Sequence, residues 1–150
     1  MHHSSALDEG SFRKPAFAPQ PPHVLVVEDD QDFADVVRFE LETGGYQVEI
    51  TSSVSEALRR LHDDNDFALV ISDVRLPGKS GLQLLFAENA AGTLPAVLMM
   101  SGFVSPELRH FVEGMGAAVI EKPFSFATLH ANVIRVLRMA ARTKIHPSVQ

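Results

Sequence analysis

The run VLVVEDDQDF at residues 24–33 decides the fold. Val24–Val27 is an unbroken apolar stretch, closed abruptly by Glu28, Asp29 and Asp30. A strand with one wet face alternates apolar and polar residues, whereas one buried on both faces reads as continuous apolar sequence, as in a helix-covered parallel sheet. The chain then changes period. Asp32–Glu42 carries Phe33, Val36, Val37, Glu40 and Leu41 at helical spacing, and Gly44-Gly45 supplies a helix stop. The ten residues are thus the hinge of a βα unit, with three acids at the strand end.

Working outward, the same unit repeats. Tyr46–Ile50 reads as a second strand, followed by a helix over Ser53–His62 with Val54, Ala57, Leu58 and Leu61 inward. Phe67–Ser72 is the third strand, leading to a loop over Asp73–Ser80 with a Pro77-Gly78 turn and a short apolar helix over Leu82–Glu88. Pro95 introduces a fourth strand at Ala96–Met100. Ser105 is placed as an N-cap and Pro106 at the first helical position of a helix to Glu113, broken by Gly114 and Gly116. Ala117–Ile120 is the fifth strand. The last helix, Ser125–Met139, is expected to turn Phe126, Leu129, Val133, Val136 and Leu137 inward. Strands alternating with helices imply an α/β fold, with right-handed crossovers and helices on both faces of a parallel sheet.

The remaining composition excludes more than it selects. The 150 residues suit one domain, with a hydrophobic fraction of 45% that supports a core without staples. Cysteine is absent, which removes disulfides, thiolate metal sites and cysteine nucleophiles together. No apolar run approaches a bilayer span, and Met1–Gln20 lacks the apolar core of a secretory signal, so a cytoplasmic location is expected. A net charge of −6 argues against direct nucleic-acid binding, which needs a surplus of Lys and Arg. The densest basic groups, Arg59-Arg60 and Arg135/Arg138/Arg142, read as solvated helix faces. Residues 1–22, with Pro15, Pro19, Pro21 and Pro22, read as a disordered leader or a remnant of cloning, 23–139 as the folded domain and 140–150 as a short tail.

Chemistry concentrates at strand ends. In a parallel sheet the C-terminal ends of strands share one edge, where ligands bind. Asp73 follows the third strand, Ser101 the fourth and Lys122, next to Pro123, the fifth. Asp73 alone would read as a turn acid, Ser101 as a turn serine and Lys122 as a surface lysine. Glu28, Asp29 and Asp30 change the reading, because acids massed on the same edge repel each other unless a cation neutralises them. Capping of the following helix accounts for one of the three. Jointly the edge offers carboxylates for a hard cation such as Mg²⁺, one carboxylate free to react, a hydroxyl and an ammonium. That is equipment for phosphoryl transfer to an aspartate.

The stretches VLVVEDDQDF (24–33), LVISDVRLPGKSGLQLL (69–85), PAVLMMSG (95–102) and GAAVIEKPFS (116–125) together resemble the receiver domains of two-component response regulators. The resemblance covers 23–139. It implies a doubly wound, flavodoxin-like (βα)5 three-layer sandwich with strand order 2-1-3-4-5. It also implies that Asp73 accepts a phosphoryl group from a histidine kinase or a histidine phosphotransfer protein. Asp29 and Asp73 would bind Mg²⁺, or Mn²⁺ in its place, directly; the backbone carbonyl of Arg75 would be the third protein ligand, and Glu28 would act mostly through metal-bound water. Ser101 and Lys122 would read the phosphoryl group, while Asp30 falls one place beyond the acidic pair. The output would be altered binding to a protein effector or to an output domain lying outside this chain. The module would be a switch that catalyses only its own phosphorylation and dephosphorylation, touching neither nucleic acid nor membrane, and free to form a homodimer.

Other functions fit less well. A phosphorylation-independent interaction module of the same fold typically loses an acid or the lysine, and this chain keeps them. Haloacid-dehalogenase-type phosphatases want a second acid two residues after the nucleophile, where Arg75 stands here. A dinucleotide site needs glycines in the first βα turn, which reads Glu28-Asp29-Asp30-Gln31 instead. One departure from the receiver pattern remains. The family usually places Tyr or Phe three residues before the lysine, and here Val119 occupies that position.

Overall fold

The first strand, β1 (His23–Val27), is buried on alternate sides by two different cores. A computed structural model describes residues 20–64, 66–91 and 95–145. Val24 and Val26 face one layer, against Val37 and Leu41 of α1 (Gln31–Thr43) and Leu129, Val133 and Val136 of α5 (Phe126–Ile145). Leu25 and Val27 face the other, built from α2 (Val54–Asp63), α3 (Leu82–Ala91) and α4 (Pro106–Gly114). That two-sided burial is why the strand carries no polar alternation. Fully buried leucines such as Leu25, Leu41 and Leu69 each contribute about 1.5–3 kcal/mol by leaving water.

The other strands are β2 (Gln47–Thr51), β3 (Phe67–Asp73), β4 (Ala96–Ser101) and β5 (Ala118–Glu121), all parallel in the order β2-β1-β3-β4-β5. This is the expected three-layer arrangement. The chain leaves β1 outward to β2, then returns past β1 to β3. The C-terminal ends of β1 and β3 therefore diverge into helices on opposite faces, which opens a crevice between them. Val27 lies beside Ser72 in that register, so Glu28 and Asp73 follow side by side.

Local signals are realised with small shifts. Asp30 caps α1 by accepting from the Phe33 amide at 3.1 Å, and Ser53 and Ser105 cap α2 and α4. Gly44 closes α1 and Gly45 follows at φ +96°, a left-handed conformation that a side chain resists. Two expected core residues are not core. Val36 and Phe126 are half exposed, because each sits at the margin of its helix's apolar stripe. α3 runs to Ala91 rather than Glu88, and α5 passes Met139 to Ile145, through sequence without glycine or proline. The first part of the expected tail is therefore helix. The leader up to residue 19 and the tail beyond 145 lie outside the described residues.

Arg60 is not simply a solvated face either. Its guanidinium makes a two-point ion pair with Glu49 of β2 through Nε–Oε2 and Nη2–Oε1, the latter at 2.9 Å. It also lies over the Phe67 ring, on which His23 stacks with centroids 4.2 Å apart. The Arg60 hydrogen bond outweighs burial and holds the Glu49 carboxyl below its ordinary 4.5. A depressed carboxyl pKa stabilises the fold above the unfolded value and loses that effect as pH falls through the folded one. Wild type is therefore expected to exceed Glu49→Gln in stability above about pH 4.5 and to converge on it in more acidic solution. Urea unfolding of both proteins at about pH 7 and about pH 3 checks this, and an unchanged gap would contradict it.

Candidate phosphoacceptor site

Asp73 ends β3 and is nearly buried. Its Oδ1 accepts from the Arg75 amide at 3.2 Å and its Oδ2 from Lys122 Nζ at 2.8 Å. Glu28, only 1% exposed, accepts from Lys122 through Oε1 at 3.1 Å and from the Asp30 amide through Oε2 at 3.0 Å. Asp29 stands exposed at the mouth. Carboxylate oxygens of Glu28, Asp29 and Asp73 all lie within 4.8 Å of one another. An all-oxygen, anionic set that close suits a small hard divalent cation.

The electrostatics follow from burial. Desolvation pushes the Glu28 carboxyl above 4.5, with the Asp30 amide and Lys122 pulling the other way and the Asp73 charge adding to the rise. Burial also works against the Lys122 ammonium, but its hydrogen bonds to Asp73 and Glu28 together hold its pKa above 10.5. Lys122 is thus firmly cationic. Its amide donates to the Ser101 carbonyl at 2.7 Å, and the peptide to Pro123 is cis.

Ser101 ends β4 on the same edge, but its hydroxyl is engaged elsewhere. Oγ donates to the Phe103 carbonyl at 2.9 Å and accepts from the Phe103 amide at 3.3 Å. Val74, Arg75, Ser101, Gly102, Phe103 and Leu108 line a cavity of about 370 Å³ beside it. Val119 is buried in the core under α4. Asp30 sits apart from the carboxylate cluster as the α1 cap.

Three contributors escape a reading of the sequence. Phe33, taken as core of α1, turns its ring face to Lys122 Nζ at 4.5 Å. Phe124 packs edge-on against that ring. Gly81 lets the β3–α3 loop close on the site, with its amide bonded to the Val74 carbonyl at 2.9 Å. The Ser80-Gly81 pair before a helix is visible in sequence, but the closeness of approach is not.

A sequence model of the response regulator receiver domain matches residues 24–134. The chain belongs to this family. It is 35% identical over 116 residues to the transcriptional regulatory protein FixJ of Azorhizobium caulinodans, covering 77% of this chain and 54% of that one. It is 32% identical over 115 residues to YrkP of Bacillus subtilis, named an uncharacterized transcriptional regulatory protein, covering 77% of this chain and 49% of that one. The chain spans about half the length of the curated relatives it matches. Among solved structures, the chemotaxis response regulator CheY4 of Vibrio cholerae superposes with a TM-score of 0.71 at 29% identity, over 77% of this chain and 98% of the other. Among the described residues no helix of this receiver is long and apolar enough to cross a membrane.

The glycine at 81 gives the site a sharp packing test. A Cβ there would overlap the Asp73 carbonyl oxygen and stand 2.8 Å from Ser72 Oγ, so β3 or the loop must shift. Gly81→Ala is expected to destabilise the receiver by about 1–3 kcal/mol, as overpacking does. Gly102→Ala, with nothing within 4 Å of its Cβ, should be near neutral. Chemical denaturation of the two variants checks this; equal stabilities would refute the close-approach account.

Proposed function

We propose that this receiver accepts a phosphoryl group on Asp73 from a phosphohistidine of a histidine kinase or a histidine phosphotransfer protein. The observation that carries the reading is the partly buried Lys122 ammonium bridging Asp73 and Glu28, with Asp29 beside them. In the transfer, an Asp73 carboxylate oxygen bonds to phosphorus in line with the departing imidazole. The P–N bond breaks, its electron pair stays on the imidazole nitrogen, and that nitrogen is protonated. Lys122 offsets negative charge on the phosphoryl oxygens as they arrive over the acids. The carboxylates of Asp29 and Asp73 and the Arg75 carbonyl would hold Mg²⁺ or Mn²⁺, with Glu28 supporting through water. When bound, the cation would supply charge neutralisation at the same oxygens.

The expected outcome is direct. With Mg²⁺ and acetyl phosphate, intact-protein mass spectrometry should show one added phosphoryl group on wild type. Asp73→Asn should show none, and chelation of the metal should suppress labelling of wild type. Equal labelling of wild type and Asp73→Asn would reject the acceptor.

The consequence of phosphorylation runs through Ser101. A phosphoryl oxygen on Asp73 competes with the Phe103 carbonyl for the Ser101 hydroxyl proton. Turning that hydroxyl inward releases both the Phe103 carbonyl and amide, and with them the segment leading through α4. The readout is then altered binding of a protein effector or an attached output domain, in the cytoplasm, with homodimerisation as one form it could take. Beryllofluoride with Mg²⁺, which mimics an aspartyl phosphate, should change amide hydrogen exchange across residues 103–114. Unchanged exchange there would exclude this route.

A further inference from the structure

We propose that Phe33 is a positioning residue for Lys122: the face of its ring holds the ammonium against the carboxylate pair and steadies it as a phosphoryl group arrives, an inference that rests on the reading of Asp73 as acceptor. Lys122 Nζ has three N–H donors, and two are directed to Glu28 Oε1 and Asp73 Oδ2. Among the described residues no third acceptor lies within hydrogen-bond distance of Nζ; instead Nζ stands over the face of the Phe33 ring, 4.5 Å from its centroid. That is well inside the roughly 6 Å over which a ring face attracts a cation.

The ring is itself fixed. The Phe33 amide is tied to the Asp30 side chain at 3.1 Å, and the Phe124 ring meets it at 5.9 Å between centroids and 70° between planes. Phe124 lies two residues after Lys122. The loop that carries the ammonium therefore also carries the brace of the ring that holds it, and α1 is clamped to the end of β5. The Lys122 side chain is one-quarter exposed, and its four-carbon stem would otherwise be free to swing toward water.

An aromatic wall suits the task better than a third carboxylate. Transfer moves negative charge from Asp73 out to the phosphoryl oxygens, and the ammonium has to follow. A hydrogen bond to a fixed oxygen resists such a slide, whereas the attraction of a ring face varies gently across the ring. The ring also adds no negative charge to a cluster that already holds three carboxylates.

The test separates ring from bulk. In the full chain, Phe33→Leu keeps apolar volume and removes the ring, whereas Phe33→Tyr keeps the ring. Wild type and Phe33→Tyr are expected to show upfield-shifted Lys122 ε-methylene protons by NMR, and Phe33→Leu to lose the shift. Phosphorylation by acetyl phosphate with saturating Mg²⁺ should slow on the order of fivefold to tenfold in Phe33→Leu and recover in Phe33→Tyr, the scale of a partly desolvated cation–π contact. A wild-type Lys122 without the ring shift, or a Phe33→Leu protein labelled at the wild-type rate, would overturn the proposal. Asp73→Asn, run in parallel, separates the two readings: if it labels like wild type the acceptor is wrong, and the Lys122 shift alone then decides whether Phe33 holds the ammonium.

Discussion

The structure depends on one ammonium placed between two buried acids. The reversal of strand order brings the ends of β1 and β3 side by side, and with them Glu28 and Asp73, which repel. Lys122 arrives from β5, three strands from β1 and roughly 14 Å away at a strand spacing near 4.8 Å. Its contacts at 3.1 and 2.8 Å tie the edge strand back across β4 to the centre of the sheet. The attraction is the more effective for being screened from water, and its loss would leave carboxylates buried without a cation. The ammonium that would meet the phosphoryl group on the proposed reading is thus also a structural joint.

The opposite edge of the sheet is built on different physics. There His23, Phe67, Arg60 and Glu49 stack and pair, so that each charge has a partner and each ring a neighbour. The two acids gathered there, Glu49 and Asp64, share the Arg60 guanidinium. At the functional edge three carboxylates converge, and the β3–α3 loop closes so tightly on Asp73 that only Gly81 fits. Local conflict confined to one edge is the usual mark of a site, because the rest of the fold has to hold the conflict in place.

Strand ends were legible in the sequence because burial on both faces leaves little room for a polar residue until the strand stops. Glu28 and Ser101 are the first polar residues after their apolar runs, and Asp73 and Lys122 each follow a single polar residue, Ser72 and Glu121. Capping accounts for one of the three acids, and the resemblance to receivers singles out Asp30 because it falls one position beyond the acidic pair. Phe33 was not legible. Its helical spacing with Val37 and Leu41 assigns it to the core stripe, and nothing local shows that β5 delivers Lys122 and Phe124 to its ring. Val36 and Phe126 were misjudged for a related reason. Periodicity gives the direction of a side chain around its helix, but whether a margin position is covered depends on which helix lies alongside.

The replacement of an aromatic by Val119 bears on how a signal leaves the pocket. Val119 is 1% exposed and packed among residues of the α2–α4 layer. A branched aliphatic side chain in a close-packed core has no alternative seat, so it cannot act as a moving part. The loop after β4 has the opposite character. Phe103 is 72% exposed, beside a cavity lined by Val74 and Leu108, and its amide and carbonyl are both tied to the single hydroxyl of Ser101. One rotation about the Ser101 side chain therefore breaks two hydrogen bonds at once, which is a discrete change rather than a graded one. On the proposed reading, the loop after β4 would supply the moving part that β5 lacks, since both of its hydrogen bonds to Ser101 depend on one side chain.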